Sequence, residues 1–111
     1  MKLEVGGDSQ VVVVAVEGRI DAYTAPEVEQ KLTAAVDGRA VLLDLSATDY
    51  ISSAGLRVMI TLGKRSRAEH FAMRLCGLQP SVLEVFEIAG FTQLFEISES
   101  REVALAELAA A

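Results

Sequence analysis

At 111 residues the chain matches one compact domain and is too short for two ordinary ones. Apolar side chains make up 51% of it, yet tryptophan is absent and aromatics reach only 5%, so the expected core is built from Val, Leu, Ile and Ala. A net charge of -6 argues against a nucleic-acid binder, since such domains carry basic patches, the single cysteine excludes an intramolecular disulfide, and no apolar run is long enough to span a membrane. A cytoplasmic α/β protein without nucleic-acid or membrane partners is the expectation.

The opening "MKLEV" is followed by "GGDSQ" and then "VVVVAV", Val11 to Val16. Gly6, Gly7 and Asp8 are turn residues, which predicts a hairpin with a loop longer than two residues. The unbroken β-branched run predicts a strand covered on both faces.

In "YTAPEVEQKLTAAV" Thr24 precedes Glu27 by three residues, the spacing of a capping box, and Pro26 falls in the tolerated first turn. Val28, Leu32 and Val36 recur every four residues, giving a helix with one apolar stripe that closes near Gly38. "AVLLDL", Ala40 to Leu45, is too short for a buried helix and reads as a central strand. The segment from 44 to 53 then reads as a loop, with Asp49 in a turn, leading into a helix from Ser52. That helix carries Leu56, Met59, Ile60 and Gly63 on one face. Arg57, Lys64, Arg65 and Arg67 fall outside the face or at the helix end, where cations complement the dipole.

"FAMRLC" follows as a strand, and "QPSVLEVFEIAG" as a helix started by Pro80 and stopped at Gly90. "LFEI" is a short strand, and Ser98 is placed to cap a last helix whose aliphatic face is Val103, Leu105 and Leu108. The order ββαβαβαβα predicts a mostly parallel β-sheet of four to five strands with an antiparallel edge hairpin and four helices.

Ligand-facing groups of parallel sheets gather where strands run into helices, and "DLSATDYISSAGLRVM" makes such a passage. A helix start offers free N–H groups and a positive dipole end, worth about 0.3–1 kcal/mol to an exposed anion. If Ser52 is the cap, Ser53 occupies the first helical position with a hydroxyl that capping does not need. Gly55 is expected to keep the surrounding surface low. Catalytic alternatives are poorly supported: His70 is the sole histidine, Asp44 and Asp49 are more simply acceptors for loop backbone, and Cys76 reads as a small buried hydrophobe. No His/Cys cluster has metal-ligand spacing, and neither GxGxxG nor GxxxxGK[ST] occurs. No enzyme, cofactor or metal is therefore expected.

Three stretches, "VEGRIDAYTAPEVEQKL", "VLLDLSATDYISSAGLRVM" and "LCGLQPSVLEVFEIAGFTQLFEI", resemble the STAS domain family, and within it the single-domain anti-sigma factor antagonists of bacteria. The likeness spans nearly the whole chain, and its middle motif is the specific part. In that group the motif reads Asp-Ser-Ser/Thr-Gly-Leu, with the first hydroxyl residue as phosphoacceptor. Matching Gly55 and Leu56 to Gly-Leu puts Ser53 on the acceptor, Ala54 in the second hydroxyl slot and Ser52 where the family has Asp. Ser52 is then a second possible acceptor.

The resemblance implies an anti-sigma factor partner that is itself a serine kinase of the GHKL ATPase type. It also implies a phosphatase that resets the switch, and regulation of transcription through sigma factor release. Asp21, in "GRID", matches the family pattern that borders the same surface, so the implied partner-binding set is Asp21, Asp49, Ser52, Ser53, Gly55 and Arg57. STAS domains also serve as accessory subunits of lipid-transport ABC systems, in which case the serine surface would be a constitutive docking face.

Overall fold

The computed structural model describes residues 1–110. Strands β1 (Lys2–Gly7) and β2 (Val11–Ile20) form the antiparallel hairpin. Its loop is pinned by the Asp8 carboxylate, whose Oδ1 accepts from the Gln10 and Val11 N–H groups at 2.8 and 2.9 Å. Helix α1 (Ala25–Ala35), β3 (Ala40–Asp44), β4 (Thr48–Ile51), α2 (Ser53–Glu69), β5 (Met73–Cys76), α3 (Pro80–Ile88), β6 (Glu96–Ser98) and α4 (Arg101–Ala110) follow, with a 3-10 turn at Phe91–Gln93. The sheet order is β1-β2-β3-β5-β6, parallel except at the hairpin, and β4 pairs with β2.

β2 is covered on both faces, as its composition requires. Val12, Val14 and Val16 pack into the main core with Val28, Leu32, Leu56, Met59, Val82 and Phe86, under α1, α2 and α3. Val11 and Val13 join Leu42 and Cys76 beneath Ala104 and Leu108 of α4 on the other face. Each such aliphatic side chain, fully buried, contributes about 1.5–3 kcal/mol.

One element differs in kind from the expectation. Residues 48–51 are a strand and not a loop, which places Asp49 in β4 and makes a sixth strand. β2 is long enough to serve two parallel neighbours: its first half pairs with β3, and its end, past an irregularity at Gly18, pairs with β4. Thr48 fixes the new strand from inside, donating its hydroxyl to the Val16 carbonyl at 2.7 Å while wholly buried.

Smaller differences concern caps and faces. Thr24 forms no capping box, because its hydroxyl is already engaged by Arg19 and Asp21. Ser98 ends β6 and is buried, and Ser100 is the residue that caps α4 through the Val103 N–H at 3.2 Å. Ala104 and Leu108 are the buried residues of α4, with Val103 exposed. On α2, Val58 and Leu62 are buried in place of Ile60 and Gly63, since α1 packs along that side. The last strand covers 96–98 and not 94–97.

Candidate functional site

β2 and β4 run in parallel and end side by side at Ile20 and Ile51. The chain leaves β4 through Ser52, whose N–H donates to the Ile20 carbonyl at 2.8 Å, so the start of α2 is tied to the end of β2. Ser52 has extended backbone (φ -96, ψ 177), and its Oγ accepts from the Gly55 N–H at 3.4 Å. Its carbonyl accepts from the Leu56 N–H at 2.9 Å. Ser52 is thus the helix cap, with side chain and backbone both committed.

Ser53 is the first helical residue and is exposed. Its hydroxyl makes no hydrogen bond among the described residues, and the adjoining N–H groups of Ser53 and Ala54 lie in the turn that has no intrahelical acceptors. A nucleophilic or phosphate-bearing oxygen there faces solvent at the positive end of a 17-residue helix.

Asp21 stands beside this start, one residue after the carbonyl that holds Ser52. Its Oδ1 accepts from the Tyr23 N–H at 2.9 Å and the Thr24 N–H at 3.1 Å. The Thr24 hydroxyl returns the favour, accepting from the Asp21 N–H at 2.9 Å and donating to the Arg19 carbonyl at 2.8 Å. The Thr24 N–H above all, with Tyr23, the Thr24 hydroxyl and Arg19, holds the Asp21 carboxyl below its ordinary range against a smaller opposing effect of desolvation. We expect a carboxyl-carbon NMR titration to place the Asp21 midpoint below 3.8. The order that this carboxylate gives to residues 21–24 is complete above that ordinary value and lost as pH falls through the lower folded one. A midpoint at or above 3.8 would remove the carboxylate from this account.

Three residues near this end escaped the sequence analysis. The Arg19 guanidinium lies 4.1 Å from the centroid of the Tyr50 ring, and its Nε is 3.7 Å from Asp21 Oδ2. Tyr23 is 96% exposed, which for an aromatic side chain is a ready anchor for a partner. The available signal was two tyrosines within four residues of a strand's C-terminal end. Asp49 and Arg57 are both exposed, the latter one helical turn beyond Ser53. Gly55 differs from its expectation: it is buried, and a Cβ there would stand 2.7 Å from Ile51 and 2.8 Å from Ile20 side-chain carbons. It therefore allows close approach of helix to strands and contributes no open ground.

The other candidates have structural employment. Asp44 is buried; burial pushes its carboxyl up, but Ser46 and then Arg101, whose Nε is 2.9 Å from Oδ2, together hold it below the usual range. The Cys76 thiol is pushed up to about 11, first by burial and then by Asp44. His70 is exposed and closes α2 in the left-handed conformation at φ 60. Among the described residues no group of three or more His, Cys, Asp or Glu side chains could hold a metal ion, and no helix is long and apolar enough to cross a membrane.

The STAS domain family model matches residues 2–104. The chain is a STAS-domain protein. BtrV of Bordetella bronchiseptica, by its name a candidate anti-sigma factor antagonist, is 42% identical to this STAS domain over 108 residues, 96% of this chain and 93% of BtrV. The crystal structure of an anti-sigma factor antagonist from Mycobacterium paratuberculosis superposes with a TM-score of 0.89 at 28% identity, covering 96% of this chain and 92% of the other. The Bacillus cell fate determinant SpoIIAA, solved in its phosphorylated form, shares the fold with a TM-score of 0.71 at 15% identity, covering 96% and 99%.

Proposed function

We propose that this STAS domain is an anti-sigma factor antagonist. On this reading it binds an anti-sigma factor serine kinase of the GHKL type through the face around Ser53, and phosphorylation of Ser53 releases it. The observation that carries the reading is the division of labour between the serines: Ser52 is consumed by capping, which leaves the Ser53 hydroxyl exposed and unengaged. The names of relatives at 42% and 28% identity support the antagonist assignment.

The physical consequence of phosphorylation is a change in charge without a change of fold. A phosphoserine adds about 1.5–2 negative charges at pH 7, and a helix N-terminus accommodates it. A partner fitted to a neutral hydroxyl then meets bulk and charge beside the Asp21 carboxylate. Each 1.4 kcal/mol so lost lowers affinity about tenfold.

Intact mass after incubation with ATP and purified GHKL-type anti-sigma factors tests the assignment. One phosphate is expected on the parent chain and none on Ser53→Ala. Phosphate retained in full by Ser53→Ala, and mapped to Ser52, would move the switch onto the cap residue. Absence of phosphate with every such kinase, together with stable binding to the ATPase subunit of a lipid transporter, would replace the antagonist reading by the accessory-subunit one.

A further inference from the structure

The helix that begins at Ser53 carries a second feature along its exposed ridge. The chain has 10 Lys and Arg residues against 16 Asp and Glu. Lys2, Arg19, Lys31, Arg39, Arg65, Arg74 and Arg101 each lie within 4 Å of a carboxylate oxygen. Among the described residues Arg57, Lys64 and Arg67 do not, and all three belong to α2. The steps from Ser53 to Arg57, to Lys64 and to Arg67 are four, seven and three residues, which with Ile60 between Arg57 and Lys64 makes a single row on one side of a 3.6-residue helix.

The row borders an apolar cleft. Ile60, Gly63, Lys64, Arg67, Leu94 and Phe95 line a depression of about 150 Å³ between α2 and the segment that follows the 3-10 turn. Leu94 is 46% exposed at its rim, and Arg67 Nη2 donates to the Leu94 carbonyl at 3.4 Å. Helix electrostatics account for Arg67, which lies in the last turn, but not for Arg57, which lies in the second turn near the positive end. Neighbouring like charges on one ridge weaken a helix slightly, so folding alone gives no reason to gather the unpaired cations there.

We propose that this ridge and cleft form a docking groove for an acidic amphipathic helix of a protein partner, with carboxylates against Arg57, Lys64 and Arg67 and an apolar edge on Ile60 and Leu94. Charge complementarity selects this occupant: three uncompensated cations on a chain of net charge -6 attract acidic segments, and the flanking apolar cleft suits a helix face. The partner named here rests on the antagonist reading, but the groove does not. A phosphate on Ser53 would stand one turn before Arg57 and draw its guanidinium away, which couples the groove to the switch.

The test uses the full labelled chain and two synthetic helical peptides of equal length, one with glutamates flanking a leucine face and one with lysines in those positions. The acidic peptide is expected to shift amide signals of residues 57–67 and 94–95, with affinity that falls as salt rises. Lys64→Glu, and separately Lys64→Glu combined with Arg67→Glu, should weaken it about tenfold or more with unchanged circular dichroism. Equal binding of the two peptides, or shifts confined to other elements, would overturn the groove. So would vesicles of phosphatidylglycerol and phosphatidylcholine that bind in a Lys64-dependent way when the acidic peptide does not. A kinase that phosphorylates Ser53 yet binds Lys64→Glu as tightly as the parent sinks the groove as its docking site and leaves the switch standing. Peptide binding without phosphorylation by any kinase does the reverse.

Discussion

Phe86→Ala is expected to destabilise the fold more than any change at Ser53, by about 3–5 kcal/mol. Phe86 is fully buried on α3, and its ring meets Phe91 edge-on at 6.4 Å between centroids and Phe95 at 6.0 Å. Truncation removes the largest fully buried side chain and both aromatic pairs, each worth about 0.5–1.5 kcal/mol beyond area. Against a total stability of about 5–15 kcal/mol for a domain, that is a large fraction. Thermal unfolding should show a midpoint lowered by roughly 10 °C or more. Ile88→Ala two residues later, at a side chain 79% exposed, should change stability by no more than about 0.5 kcal/mol. If the two variants melted together, the Phe86 cluster would not be what joins α3 to the 91–95 segment.

The same region shows what the sequence made legible. "QPSVLEVFEIAG" carries Pro80 at the helix start and Gly90 beyond its end, and α3 occupies Pro80–Ile88 with Gly90 in the left-handed region at φ 76. Start and stop signals of this kind are local, so they survive without knowledge of neighbours. The valine run of β2 was legible for a similar reason, since only a doubly covered strand suits it. The hidden features all depend on partners distant in the chain. β4 exists because Thr48 meets Val16, 32 residues earlier, and "TDYI" alone has two exposed residues in four. The buried side of α4 is set by two tethers, Arg101 to Asp44 at 2.9 Å and Glu107 to Arg74 at 2.8 Å, and these turn Ala104 and not Val103 inward.

At the site, the assignment of Ser52 to the cap and Ser53 to the open first position was legible, because N-cap chemistry is itself local. Thr24 shows the limit of that approach. Its spacing to Glu27 has the capping-box form, but Asp21 offers its carboxylate to the same backbone and the Thr24 hydroxyl turns to Arg19 and Asp21 instead. The competition between two cap-forming residues three apart is decided by the end of β2, which pairs with β4 and fixes where Asp21 stands. An unread strand therefore concealed the geometry around Asp21 and Thr24.

Gly55→Ala and Gly63→Ala are the same substitution in one helix, and we expect opposite consequences. Both gain about 1 kcal/mol of helix propensity. At Gly63 the new methyl would meet the edge of the Phe95 ring at 3.1 Å, next to a cleft into which the ring can give, so stability should stay within about 1 kcal/mol of the parent. At Gly55 it would meet Ile51 Cγ1 at 2.7 Å, Ile20 Cγ2 at 2.8 Å and the Ile20 backbone oxygen at 3.0 Å. Two of these belong to buried side chains and the third to a carbonyl that already holds the Ser52 N–H, so the start of α2 must move away from the strands. Overpacking of this sort costs about 1–3 kcal/mol, which outweighs the propensity gain. The displacement also carries Ser53 with it, and under the function proposed above an acceptor misplaced by about 1 Å can lower phosphoryl transfer about a hundredfold. Phosphorylation rates and urea midpoints check this together: Gly55→Ala should lose on each axis, while Gly63→Ala, whose methyl enters the cleft beside Phe95, should keep its urea midpoint. Normal phosphorylation of Gly55→Ala would show that the kinase does not read the position of the first turn of α2, and that the tie between Ser52 and Ile20 serves stability alone.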